Sequence, residues 1–105
     1  MVKEINTDNF NNEVLSHSGV VVVDFFANWC GPCRMLAPVL EDVKQTLGDK
    51  IEIFKVDVDE DENLAREFGI MSIPALFIFV DGELKEKSVG LCSKSDLLGK
   101  LQAYL

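Results

Sequence analysis

One continuous apolar segment limits the folds open to this chain more than any other feature. The segment GVVVVDFFA, residues 19 to 27, is rich in β-branched and aromatic residues and is interrupted only by Asp24. A strand with one side in solvent alternates apolar and polar residues, whereas an unbroken apolar strand is covered on both faces. The segment is therefore predicted to be a central parallel strand.

Helical patterns lie on both sides of this segment. Candidate N-caps at residues 6–8, followed by apolar residues at helical spacing, predict a first helix over residues 8–17. A longer amphipathic helix is predicted to begin near Cys30 and to end at Gly48, which suits the position just beyond a helix C-terminus. Pro38 lies inside it, so we expect a kink there rather than a break.

The next part of the chain is predicted to return to the sheet. KIEIFKVDV alternates as a strand and is followed by a short helix, capped by Asp57 or Asp59 and ended by Gly69. The acidic run DVDEDE is interpreted as the solvated start of that helix, where negative charge suits the helix dipole.

The C-terminal part is predicted to be a hairpin and a last helix. ALFIFV and ELKEKSVG are strands joined by the turn Asp81-Gly82, and Ser93 with Asp96 forms a capping box for the helix. With a further strand before the first helix, to which the pattern assigns no residues, the order β-α-β-α-β-α-β-β-α gives an α/β fold with a five-stranded mixed sheet flanked by four helices. We expect residues 1–105 to form a single domain.

The charge of the chain excludes some functions. It has 18 acidic and 10 basic side chains, a formal charge of −8, and should repel a phosphate backbone. The N-terminal MVKEINTDNF lacks the apolar core of a secretory signal, and no apolar run is long enough to cross a membrane. We therefore expect a cytoplasmic protein without nucleic-acid or membrane partners.

Two of the three cysteines form a C-x-x-C pair at the start of the long helix. Residues at this spacing have Cα atoms about 5 Å apart, close enough for a disulfide. The helix N-terminus favours the thiolate, so Cys30 is predicted to be an exposed nucleophile and Cys33, one turn further, the resolving thiol. Gly31 and Pro32 tune this pair, because Pro32 fits the first helical turn and stiffens the loop.

Two other functions for the cysteine pair are less consistent with the sequence. A zinc site would have to recruit His17 and Cys92, which show no zinc-binding spacing, so no metal is predicted. A purely structural disulfide that closes so short a loop would stabilise the fold little. A redox couple is the favoured interpretation.

The chain resembles the thioredoxin family over essentially its whole length. The segments that carry the resemblance are VDFFANWCGPCRMLAPVLE, KVDVDE, SIPALFIF and VG, in that order. It implies a protein disulfide reductase without a cofactor, in which Cys30 attacks a target disulfide and Cys33 resolves the mixed disulfide. The resemblance also implies a monomer. A thioredoxin reductase would restore its dithiol. Implied targets are of the peroxiredoxin, methionine sulfoxide reductase and ribonucleotide reductase types.

Two charged residues gain roles from the resemblance. Burial among apolar neighbours should raise the pKa of Asp24, unless this residue reaches water at the strand end. The family implies an acid/base that exchanges the Cys33 proton, directly or through water. Lys55 matches a family lysine that tunes this carboxyl, although an exposed strand lysine would look the same in the sequence.

The resemblance also implies a target-binding surface around Cys30. The Ile73-Pro74 bond is expected to be cis and to present a backbone edge to a substrate strand. An uncharged rim would surround the nucleophile. Its members are Trp29, Gly31, Pro32, Ile73, Val89 and Gly90, with Pro74 beside them.

The chain departs from the family pattern at three positions. Arg34 replaces a more frequent Lys, and Phe26 a frequent Trp. Cys92 is an additional thiol, predicted to be a small buried hydrophobe, with a regulatory thiol as the alternative. Met71 and residues 77–79 are assigned to the core.

Three rival functions share some of these features. A disulfide oxidase or isomerase would share the fold, but Gly-Pro between the cysteines and the missing signal peptide argue against it. A binding module would use the same surface without redox turnover. A metal or iron-sulfur carrier would contain bound zinc or absorb visible light.

Overall fold

The computed structural model describes residues 1–105 and contains one five-stranded sheet. Its strands are β1 (Lys3–Glu4), β2 (Val20–Phe26), β3 (Ile51–Asp57), β4 (Ala75–Val80) and β5 (Glu83–Val89). The helices are α1 (Thr7–Phe10), α2 (Gly31–Leu47), α3 (Glu62–Glu67) and α4 (Lys94–Gln102). This is the predicted element order. None of the helices combines the length and apolar character needed to cross a membrane.

Strand β2 occupies the centre of the sheet, whose strand order is β1-β3-β2-β4-β5. It pairs parallel to β3 and antiparallel to β4. All seven of its residues are buried, as predicted for a strand covered on both faces. The sheet is mixed because β4 and β5 return as the predicted hairpin.

Two apolar layers pack on opposite faces of the sheet. Odd-numbered β2 residues such as Val21 and Val23 pack with Phe10 of α1 and Leu64 of α3. Even-numbered residues such as Val22 pack with side chains of α2 and α4. Because successive strand residues face opposite ways, Asp24 lies on the α2 side of the sheet.

The first helix lies where it was predicted, but most of it is not α-helical. An α-helix covers only Thr7–Phe10, and the chain continues as a π-helical turn over Asn11–Leu15. The wider turn closes with a bond from the Ser16 amide to the Asn11 carbonyl, five residues earlier. The cap is Asn6, whose side chain accepts from the Asn9 amide.

The C-terminal cap predicted for α2 is confirmed, whereas the N-terminal cap predicted for α3 is wrong. Helix α2 continues through Pro38 without a break and ends at Gly48, which has a φ of 55°. The N-cap of α3 is Asp61 rather than Asp57 or Asp59. The Asp61 carboxylate accepts from Thr7 instead, from both its amide and its hydroxyl.

The assignment of Met71 to the core is wrong. This residue is 95% exposed, whereas Phe77, Ile78 and Phe79 are buried as predicted. The chain turns at Gly69, and Ile70 packs against the apolar layer in its place. The side chain of Met71 therefore stands in solvent next to the segment that leads to Pro74.

The hairpin turn Asp81-Gly82 depends on glycine. Asp81 and Gly82 have φ angles of 52° and 82°, which fits the two-residue turn predicted from the sequence. A Cβ at Gly82 would collide with the backbone carbonyl of Leu15. The turn thus packs closely against the end of the π-helical segment.

Replacing Gly82 by Ala should destabilise the protein. The change combines a strained positive φ with a backbone clash, so we expect a loss of about 2 kcal/mol or more in the free energy of unfolding in urea. Gly99→Ala is the matched control, because Gly99 lies in α4 with open space around it. That change should stabilise the protein by about 0.5–1 kcal/mol. Equal stabilities of the two variants would show that the turn does not require glycine at position 82.

Candidate active site

Cys30 and Cys33 form a disulfide at the junction between β2 and α2. Their Cα atoms are 5.2 Å apart, in agreement with the distance expected from the spacing. Cys30 is the N-cap of α2, and Gly31 and Pro32 begin the helix. The predicted pairing is therefore present at the predicted place.

The start of α2 directs backbone amides towards the sulfur of Cys30. The Cys33 amide donates to Cys30 Sγ over 3.2 Å. Pro32 has no amide, so it leaves none unsatisfied in the first turn. An amide and the positive end of the helix dipole both stabilise negative charge on Sγ, so this geometry favours the Cys30 thiolate.

The prediction that Cys30 is exposed is wrong for the disulfide form. Cys30 and Cys33 are each only 4% exposed and belong to a small apolar cluster with Phe26 and Ala27. Ile73 packs against this cluster, and its carbonyl oxygen lies 4.0 Å from Cys30 Sγ. The segment before Pro74 therefore covers the cysteine that sequence reasoning placed in the open.

Asp24 is buried next to the disulfide. It is 2% exposed, and its Oδ1 has no hydrogen-bond partner in the protein. A cavity of about 120 Å³ opens beside it, large enough for water. Its lining is Asp24, Phe26, Ala27, Asn28, Cys33, Arg34, Ala37 and Lys55. The cavity thus brings the carboxyl, Cys33 and two cations together.

Burial changes the acidity of Asp24. Desolvation raises the pKa of its carboxyl from 3.8 to about 7, and the positive charge of Lys55 partly opposes this rise. Asp24 and Lys55 are register partners on adjacent parallel strands, which explains their proximity. Lys55 Nζ also lies 5.0 Å from the ring centre of Phe26. The alternative of a solvated residue at the strand end does not fit Asp24.

The expected rim assembles around the disulfide from separate segments. The Ile73-Pro74 peptide bond is cis, as the resemblance implies. The Gly90 amide donates to the Pro74 carbonyl over 2.8 Å, which holds the end of β5 beside this bond. Trp29 and Val89 are exposed, Ile73 is partly buried, and Pro74 is buried.

Sequence reasoning missed a polar network next to Trp29. The Trp29 indole donates to Asp59 Oδ2 over 2.8 Å. Asp57 is 3% exposed and accepts bonds through both carboxylate oxygens. The interpretation of DVDEDE as a solvated helix start is therefore wrong for Asp57. The burial of Asp57 follows from the register of β3, in which Asp57 pairs with the buried Phe26.

Cys92 is only partly buried and does not belong to the apolar cluster around the disulfide. It packs against the apolar layer on the α2 and α4 side, which agrees with the predicted packing but not with full burial. Burial raises the pKa of its thiol. The charge of Lys100 opposes this rise, and the charges of Asp96 and Asp24 add to it. Three potential metal ligands come together at Glu4, Asp57 and Glu60, a group without cysteine or histidine.

Comparison with known proteins gives consistent similarities. A family model described as Thioredoxin matches residues 1–103. Thioredoxin of Bacillus subtilis (strain 168) is 54% identical over 87 residues, 83% of this chain and 84% of the relative. Thioredoxin of Listeria monocytogenes is 45% identical over 105 residues, 100% of both chains. Thioredoxin of Rickettsia prowazekii is 42% identical over 98 residues, 93% of both.

Asp24→Asn should stabilise the protein in a pH-dependent manner. The carboxyl ionises less readily in the folded than in the unfolded chain, so the wild type loses stability as pH rises from 3.8 to about 7. The variant and the wild type should be about equally stable at pH 4. At pH 8 the variant should gain up to about 4 kcal/mol in free energy of unfolding, measured in urea.

The control for this experiment is Asp49→Asn, at an exposed residue without a side-chain partner. Its stability relative to the wild type should be the same at both pH values. A gain for Asp24→Asn that does not grow between pH 4 and pH 8 would show that the folded protein does not penalise ionised Asp24.

Proposed function

The chain belongs to the thioredoxin family and is a protein disulfide reductase, and we propose that it works through a mixed disulfide between Cys30 and a target cysteine. One observation carries the proposal: the Cys30–Cys33 disulfide lies at a helix N-terminus and shares a cavity with a buried, protonatable carboxyl. An inert staple requires neither feature.

The reaction transfers two electrons in two exchange steps. In the reduced protein the Cys30 thiolate attacks one sulfur of the target disulfide, the target S–S bond breaks, and one target thiolate leaves. Cys33 then attacks Cys30 Sγ in the mixed disulfide. The Cys30–Cys33 disulfide forms, the second target thiolate leaves, and the target has gained both electrons.

Asp24 is proposed to accept the proton of Cys33 in the second step. With a pKa of about 7 the carboxyl is partly ionised at neutral pH and can accept a proton, which an ordinary Asp would hold poorly. Both residues line the same cavity, which has room for a bridging water. Lys55 favours the ionised form and so keeps the acceptor available.

Target proteins are proposed to bind at the rim around the disulfide. Trp29 and Val89 offer exposed apolar surface, and the backbone at Ile73 offers hydrogen-bonding groups to an extended segment. Binding by apolar contact and main-chain bonds depends little on target sequence. This surface therefore suits many disulfide-containing proteins, among them those of the peroxiredoxin, methionine sulfoxide reductase and ribonucleotide reductase types.

The rest of the cycle is proposed from family membership. A thioredoxin reductase returns two electrons to the Cys30–Cys33 disulfide after each turnover. The chain acts as a single-domain monomer in the cytoplasm, where reducing conditions suit a disulfide reductase.

Cys33→Ser should trap the mixed disulfide. After reduction, this variant should form a covalent adduct with oxidised insulin, because Cys30 can attack and no thiol resolves the product. Non-reducing electrophoresis should show an adduct that dithiothreitol releases. Turnover of insulin should fall by at least about 100-fold.

Cys30→Ser is the matched control and should form no adduct, since the attacking sulfur is gone. An adduct formed by Cys30→Ser instead would assign the attack to Cys33. A Cys30→Ser, Cys33→Ser double variant that still complements a target pathway in cells would favour the binding-module alternative, in which redox turnover is incidental.

A further inference from the structure

The loop before the nucleophile is held from outside by a chain of hydrogen bonds. Residues 27–30 form a tight turn in which the Cys30 amide donates to the Ala27 carbonyl. Arg34 Nη1 donates to the Asn28 carbonyl over 2.7 Å, and Asn28 Nδ2 donates to Asp57 Oδ2 over 3.4 Å. Asn28, two residues before Cys30, is thus fixed by contacts outside the loop.

Asp57 is the buried centre of this network. Its Oδ1 accepts from the amides of Asp59 over 2.8 Å and Glu60 over 3.4 Å, while Oδ2 accepts from Asn28. No cation pairs with it, although it is only 3% exposed. A buried carboxylate without a cation is costly unless its oxygens accept several hydrogen bonds. Here those bonds join two separate segments.

The same network reaches the indole of Trp29. Asp57 fixes the amide of Asp59, and the carboxylate of Asp59 accepts from Trp29 Nε1. Trp29 is 69% exposed, so packing alone does not immobilise it. Its orientation therefore depends on the turn at residues 57–60 being held in register with the loop at residues 27–30.

We propose that Asp57 is a positioning residue for target binding, whose carboxylate links Asn28 to the turn that holds Trp29. The inference rests on the proposed function only in assigning target proteins to the rim. Asp57 touches neither cysteine in this role. Its loss should therefore weaken the reduction of protein disulfides, which need the rim, more than that of small disulfides, which need only the dithiol of Cys30 and Cys33.

Asn28→Asp tests the proposal by placing a second carboxylate against Asp57. We expect the KM for oxidised insulin to rise about tenfold, because the loop loses a bond to a buried charge, while kcat stays within about twofold. Reduction of the small disulfide 5,5′-dithiobis(2-nitrobenzoate) should also stay within about twofold. Trp29 is the only tryptophan, so the steady-state fluorescence anisotropy of the protein should fall as the indole is released.

A double substitution provides the rescue. In Asn28→Asp with Asp57→Asn the donor and acceptor exchange places. The amide introduced at position 57 can donate to the carboxylate introduced at position 28, while its oxygen accepts from the two backbone amides. The KM for insulin and the anisotropy should return to within about twofold of the wild type. Glu62→Gln, which removes one charge at the start of α3 from an exposed side chain without a bond, should change neither.

The outcomes separate the two proposals. Wild-type anisotropy and KM in Asn28→Asp, or no recovery in the double variant, would overturn the role of Asp57. If the wild type reduced neither insulin nor the small disulfide, the proposed function would be wrong. The anisotropy of the three variants would still decide whether Asp57 positions Trp29.

Discussion

The site depends on the burial of one carboxyl in the central strand. β2 is covered on both faces, so Asp24 is only 2% exposed, and its Oδ1 has no partner in the protein. The energetic cost of ionising it there is what raises its pKa to about 7. A carboxyl with that pKa is protonated in part of the molecules at neutral pH. Cys33 of the disulfide lines the same cavity as this carboxyl. The strand that organises the sheet thus also supplies the proposed acid/base.

The other parts of the site come from distant segments that the sheet brings together. The start of α2 supplies the cysteines and the dipole, and the segment before β4 supplies Ile73 and Pro74. The end of β3 supplies the turn that holds Trp29. Only β2 pairs with both β3 and β4, so its register sets the relative positions of all three contributions. This arrangement explains how the chain can bring a reactive sulfur, the proposed proton acceptor and the proposed binding surface together.

The sequence predicted the features that depend on local pattern. The central strand, the hairpin at Asp81-Gly82 and the distance between Cys30 and Cys33 all follow from periodicity, turn chemistry and helix geometry. What it missed depends on contacts between distant segments. Met71 has the apolar character of a core residue, but the turn at Gly69 directs it to solvent. Asp57 looks like any exposed acid in DVDEDE, and only the pairing of β3 with β2 buries it. Ile73 covers Cys30 from a segment more than forty residues away, which no local pattern reveals.

The pKa of Asp24 in the oxidised protein tests the central claim most directly. The side-chain carboxyl carbon of Asp24 can be followed by ¹³C NMR across the pH range and identified by comparison with Asp24→Asn. We predict a titration midpoint close to pH 7, set by burial and limited by the charge of Lys55. A midpoint near 4, typical of a solvated aspartate, would contradict the account, because such a carboxyl is neither desolvated nor suited to exchange a proton with Cys33 at neutral pH.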